Sequence, residues 1–198
     1  MKKGTVKWVG CLFPLVFLIV SCAGTDLAET RVDDAYKGKP VSDILVIAVT
    51  GNEHNRRSYE RKFVANLKSV GVEAVASEKS IPMPGDLKIK KETILSAVDQ
   101  YENDAVLITQ LVGKETKDVY QRGGVTRRGY FGYTRNPGYS STTKKVRLET
   151  NLYDAKTGEL IWSGISDTLS KDSTDRIMND VIKAVITKLK NNKLIAPK

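Results

Sequence analysis

Ile44-Leu45-Val46-Ile47-Ala48-Val49 is an unbroken apolar run, rich in β-branched residues. A strand with one wet face alternates, so a run apolar at every position needs burial on both faces, the setting of a parallel strand covered by helices. The flanking sequence supplies those helices. Tyr59, Phe63, Leu67 and Val70 recur at helical spacing, and Gly71 stands where a helix stops. Val72 to Ala76 predicts a short second strand, and Lys91 to Tyr101 a second helix with Ile94, Ala97, Val98 and Tyr101 on one side. Ser80 to Lys88, with Pro82, Pro84 and Gly85, reads as loop. Ala105 to Ile108 opens a third buried strand that continues toward Val112. Alternating strands and helices of this kind give parallel strands joined by right-handed crossovers.

The last third changes character. Val146 to Tyr153 alternates, and so does part of Leu160 to Ile165, with Asp154-Ala155-Lys156-Thr157-Gly158 as a hairpin turn between them. A closing helix is expected from about Ser173 to Lys190, with Ile177, Met178, Val181, Ile182, Val185, Ile186 and Leu189 as a core-facing stripe. Lys183, Lys188 and Lys190 lie toward its carboxyl end, which favours cations. The expected fold is therefore α/β: a mixed five-stranded sheet in the order 2-1-3-4-5, with helices packed in two or three layers.

Residues 1–21 stand apart from this fold. Lys2, Lys3 and Lys7 precede an apolar run from Trp8 to Val20 that Pro14 interrupts. That run is short of the roughly 20 residues a membrane-spanning helix needs, and a basic start, short apolar middle and small residue make a secretory signal. Leu18-Ile19-Val20-Ser21-Cys22 resembles a bacterial lipobox, which is cut before a cysteine that then carries the lipid. The resemblance makes Cys22 the lipid attachment site, with three acyl chains and firm anchoring, since one chain alone holds weakly. Ala23, in place of Asp, favours the outer membrane under enterobacterial sorting. The alternative is an uncleaved anchor with Cys22 as an ordinary residue.

Cleavage before Cys22 removes Lys2, Lys3 and Lys7 and lowers the net charge from +9 to +6. It also removes Cys11, and lipidation consumes Cys22, so no disulfide remains available to the exported domain. A basic surface attracts acidic polymers, and outside the cytoplasm those are lipid head groups, lipopolysaccharide phosphates or acidic glycans rather than nucleic acid. Residues 22–40, polar with Gly24, Gly38 and Pro40, read as a lipidated tether, and 41–198 as a single periplasmic domain.

Leu152 to Gly164 resembles the hairpin of several proteobacterial envelope lipoproteins. In element order, Ile44 to Leu189 is similar to the amino-terminal domain of TolB, the curli-secretion lipoprotein and the lipoprotein activators of penicillin-binding proteins. The resemblance implies a fold and a compartment; such proteins work by binding and assembly, and it carries over no catalytic residue.

Two segments are candidates for contact. The loop after the first strand holds Glu53, His54, Arg56 and Arg57, beyond the carboxyl end of a strand where open α/β sheets bind ligands. It fits a small anion or a weak hydrolase built on the single histidine; in the alternative, Asn52 or Asn55 caps a helix and the charges are solvated. No metal-ligand spacing, phosphate loop or nucleophile elbow occurs, so neither a metal nor another cofactor is expected, and no enzyme.

The second segment is an arm at 114–143. Tyr120, Arg122, Arg127 and Arg128 lie in its first part, and Tyr130, Phe131, Tyr133, Arg135 and Tyr139 in the second, among glycines and Pro137. Glycine and proline argue against a regular element, while arginine and tyrosine are the side chains of binding hot spots. It reads either as a recognition arm for an envelope protein, glycan or lipid surface, or as a hairpin extension whose aromatics fold back on the sheet. The expected role is thus a non-enzymatic accessory or assembly factor, anchored through Cys22 and facing the periplasm from the outer membrane. The alternatives are the ligand loop and a self-assembling secretion-type lipoprotein that pairs through the hairpin edge.

Overall fold

The apolar run forms β2 (Asp43–Val49), whose residues Ile44 to Ala48 are all buried. In the computed structural model, residues 27–33, 36, 38–121, 125–128, 132–135, 139–170 and 173–197 are described, with side chains described outside 114–145 and 169–170. The remaining elements are β1 (Leu27–Val32), α1 (Glu53–Ser69), β3 (Glu73–Ala76), α2 (Lys91–Tyr101) and β4 (Ala105–Gln121), then β5 (Val125–Arg128), β6 (Gly132–Arg135), β7 (Tyr139–Asp154), β8 (Leu160–Ser170) and α3 (Thr174–Asn191).

β2 pairs in parallel with β3 on one side and β4 on the other, and its two faces feed two cores. Ile44 and Val46 pack with Phe63 and Leu67 of α1 and Ile182, Val185 and Leu189 of α3. Leu45 and Ile47 pack with Ala97 and Val98 of α2 and with Ile81. Each fully buried aliphatic side chain of this kind is worth about 1.5–3 kcal/mol of transfer free energy. All seven apolar positions of the closing helix are buried.

Helix and turn chemistry agree with the sequence. Asn52 Oδ1 accepts from Asn55 N at 2.9 Å and caps α1. At the other end Gly71 takes φ +83°, which lets Val72 N reach the Leu67 carbonyl at 3.1 Å. In the β7–β8 turn, Asp154 Oδ1 accepts from Lys156 N and Thr157 N at 2.9 and 2.8 Å, and Gly158 closes it at φ +73°. At the foot of the sheet the Asp104 carboxylate accepts from Ser42 N and Asp43 N, at 2.9 and 3.0 Å, tying β2 to β4.

The mixed α/β class holds, but the five-stranded sheet in the order 2-1-3-4-5 is corrected. The main sheet has six strands in the order β1-β8-β7-β4-β2-β3, and β5 and β6 form a separate two-stranded sheet. The added edge strand, β1, comes from the segment read as tether. It runs antiparallel to β8, with Thr30 opposite Gly164 and Val32 opposite Trp162, and Leu27 is buried in the core. The fold therefore starts before Val41.

Candidate functional site

The expectation that glycine and proline keep 114–143 out of regular elements is corrected, and the backbone is that of the alternative, a hairpin extension. β4 and β7 pair without a break in direction from Ala105 opposite Asp154 to Gln121 opposite Tyr139, with one bulge between Leu111 and Gly113. β2 ends opposite Gln110, so β4 continues alone with β7 and β8 beyond that level. β8 accompanies β7 only as far as Lys144 opposite Ser170. From Lys117 opposite Thr143 onward, β4 and β7 are a two-stranded ribbon among the described residues. β-branched and aromatic residues such as Val119, Tyr120, Thr142 and Thr143 suit such a ladder.

The structure distributes the sequence-predicted arm residues over this ribbon and the separate β5–β6 pair. Tyr120 and Tyr139 lie at its far end in β4 and β7. Arg127 and Arg128 lie in β5, and Tyr133 and Arg135 in β6, with Arg127 opposite Tyr133 in the Cα register. Arg122, Tyr130 and Phe131 lie outside the described residues, as does Cys22.

Glu53 to Arg57, expected as a loop, are instead the first residues of α1, and they do not form one site. Arg56 turns inward and is 1% exposed. Its Nη2 donates to Ser77 Oγ at 2.9 Å and to the Ile81 carbonyl at 2.7 Å, and its Nε to Glu60 Oε1 at 3.1 Å. Glu60 is itself fully buried and also accepts from Ala48 N, Ser77 Oγ and Glu78 N, each at 2.9 Å. Burial pushes the Glu60 carboxyl up, and these hydrogen bonds and the Arg56 charge oppose the rise. Arg57 stays outside, pairing with Glu53 at 3.0 Å, and His54 is exposed on the same outer face of the helix. Arg56 thus joins the helix to the Ser77–Ile81 segment, and Glu53, His54 and Arg57 are left on a solvated surface.

A different concavity lies near the end of β2, which pairs with β3 on one side and β4 on the other. A cavity of about 220 Å³ lies between the carboxyl end of β2, Thr109 to Leu111 of β4, β7, and the amino-terminal turns of α1 and α3. Ala48, Val49, Leu111, Val146, Leu148, Ile177 and Met178 make it mainly apolar, with Asn55, Gln110 and Thr174 among its polar residues. Tyr59 and Thr109 also line it; the Tyr59 hydroxyl donates to Thr109 Oγ1 at 3.2 Å, and Thr109 and Thr150 share a hydrogen bond of 3.0 Å. Burial pushes the Tyr59 phenol up to about 12, against the pull of its threonine partners. The lining of this cavity suits a small, largely apolar body rather than an anion. Sequence reading missed it, although Thr109-Gln110 breaking the apolar run of β4 is a visible signal.

Among the described residues there is no cluster of His, Cys, Asp and Glu suited to a metal, and no helix long and apolar enough to cross a membrane. The free-edge expectation for the hairpin is corrected as well. β8 pairs with β7 on one side and β1 on the other, so the edges of the main sheet are β1 and β3.

No family model and no curated protein matches the chain. Among solved structures it is similar to the PelC dodecamer from Paraburkholderia phytofirmans, at 13% identity and TM-score 0.47 over 85% of this chain and 98% of that one. It is similar to lipoprotein GNA1162 from Neisseria meningitidis, at 16% identity and TM-score 0.44 over 76% and 99% of the two chains. A minor lipoprotein from Acinetobacter baumannii matches at 8% identity and TM-score 0.35 over 78% and 97%. Bacterial lipoproteins are thus among the similar structures, at a level of likeness that carries no argument about function.

Proposed function

We propose that the chain is a lipid-anchored, non-enzymatic envelope lipoprotein that faces the periplasm from the outer membrane and serves as a binding or assembly factor. Cys22 is its attachment point, and the β4–β7 ribbon with β5 and β6 is its contact element. The observation that carries this reading is the extension of β4 and β7 past the end of β2, to Gln121 opposite Tyr139. A ladder that leaves the core with Tyr120 and Tyr139 at its end, and with Arg127, Arg128 and Arg135 in the strands between, is built for contact rather than for packing its own domain. The test is photo-cross-linking in cells from a reactive residue at Tyr130, with Lys190 on the exposed side of α3 as control. A discrete adduct from position 130 alone supports the reading; equal adducts from both positions, or none from 130, count against it.

The cavity favours a second reading, a site for a small apolar ligand, in place of the anion loop at Glu53, His54, Arg56 and Arg57. Such a ligand raises the melting temperature of the parent chain and leaves a Leu148→Trp variant, with the cavity filled, unchanged.

A further inference from the structure

β1 begins at the end of the sheet from which the ribbon projects. Leu27, the first residue of β1, is opposite Ser166; Ser166 is opposite Leu148; and Leu148 is opposite Leu111. The start of the first strand and the base of the projecting part of β4 are therefore level. From Leu27 back to Cys22 the chain can span at most about 18 Å, at 3.3–3.6 Å per residue. From Leu111 to Gln121, β4 rises about 34 Å, at some 3.4 Å per residue. The ribbon is thus longer than the reach from Leu27 to Cys22, and it projects from the end of the sheet at which β1 begins. A lipid on Cys22 draws that end toward the bilayer, and the ribbon then lies against the headgroup layer.

Charge points the same way. Residues 114–145 hold eight Lys or Arg against two acidic residues, a net of +6. The chain from Cys22 onward also has a net charge of +6, so the rest of it is neutral. The entire excess of positive charge sits on residues 114–145, four of the eight cations on the paired parts of β4 and β7 and four in the chain between them, and basic residues of this kind gain from a negative surface potential. Tyrosine, also abundant there, is a residue of the membrane–water interface.

We infer that the β4–β7 ribbon, together with the β5–β6 hairpin that lies in the chain between its strands, docks on anionic phosphate headgroups of the same membrane that holds Cys22, so that lipid and ribbon together fix the domain's orientation. The inference rests on Cys22 being the anchor, as proposed above.

The test uses the mature chain with Cys22→Ser, so that binding reports the ribbon and not the acyl chains. Phosphatidylglycerol vesicles should bind it, phosphatidylcholine vesicles should not, and binding should weaken as salt rises. Changing Arg127, Arg128 and Arg135 together to Ala should lower the partition coefficient on the order of 100-fold. Changing the same three to Lys should preserve binding, and matching circular dichroism spectra show that each variant is folded. No binding to phosphatidylglycerol, or binding indifferent to the Ala substitutions, overturns the inference. A protein adduct from position 130 together with no vesicle binding overturns it while leaving the binding-factor reading in place. A mature amino terminus without lipid mass at Cys22 removes the anchor on which it depends.

Discussion

Arg56 Nε donates to Glu60 Oε1 at 3.1 Å, and neither side chain meets solvent by more than 1% of its surface. The pair is one turn apart on α1, and Ser77 Oγ bridges it by accepting from Arg56 and donating to Glu60. A buried pair of this kind owes its value to complete hydrogen bonding, since desolvation of the two charges offsets most of their attraction. Arg56→Ala should therefore destabilise the domain by about 3–5 kcal/mol, by stranding the Glu60 carboxylate. Arg56→Met with Glu60→Gln should recover part of that loss in urea denaturation. If Arg56→Ala leaves stability unchanged, the arginine is a surface residue after all.

Tyr59 gives the alkaline limit. Its folded value of about 12 lies above the unfolded value of 10.0, because burial disfavours the phenolate. The neutral phenol thus contributes stability that is fully present below pH 10 and is lost as pH rises through 12, about 2–3 kcal/mol in all. The Tyr59→Phe variant should lose less stability than the parent over that interval, measured by chemical denaturation at pH 9, 10 and 11. Identical pH slopes in the two proteins would mean that Tyr59 ionises freely in the fold. Thr109→Val, which removes the acceptor of the Tyr59 hydroxyl, should cost about 1–3 kcal/mol at neutral pH.

The Trp162 ring lies over Gly164, where an added Cβ would sit 2.7 Å from Cζ2 and closer still to Cη2. Both residues are buried on β8. Gly164→Ala should displace the indole and cost about 1–3 kcal/mol, the usual range for overpacking. Trp162 fluorescence should shift to the red as the ring gains water. An unshifted spectrum with unchanged stability would show that the strand absorbs the methyl group elsewhere.

β1 makes a claim about the amino-terminal segment. Leu27 is buried and Thr30 is opposite Gly164 in the ladder, so amides of β1 should exchange slowly with solvent, well behind the exposed backbone of a tether. Leu27→Asp should destabilise the domain by about 2–4 kcal/mol, because it buries an unpaired charge or detaches the strand. Fast exchange at Thr30 would return residues 27–32 to the tether.

Elements that bury an apolar stripe were legible in the sequence. α2 spans the predicted Lys91 to Tyr101, and α3 buries each of its seven predicted positions. β1 was not, because only its ends, Leu27 and Val32, face the domain while Ala28 to Arg31 are exposed. An edge strand of this pattern is held by the ladder on β8, which local periodicity does not encode. The ribbon was legible only as one of two readings, the hairpin extension, because its strands support each other through backbone pairing, and its glycines and Pro137 mask the β-formers between them. Arg56 was misread as a ligand contact because a charged residue in a first turn looks solvated, and its partner carbonyl, on Ile81, lies 25 residues away. The cavity needed β2, β4, β7, α1 and α3 assembled before its lining came together.

The ribbon's independence from the core is best tested by thermal unfolding of the mature chain beside a version in which Thr116 to Lys144 is replaced by Asn-Gly. That dipeptide closes a tight hairpin between Glu115 and Lys145, which are opposite each other in the ladder. Cooperative unfolding within a few degrees of the parent is expected, since the core lies below the replaced segment. Loss of the cooperative transition would show that the ribbon is part of the domain's own packing, and would contradict its assignment as a contact element.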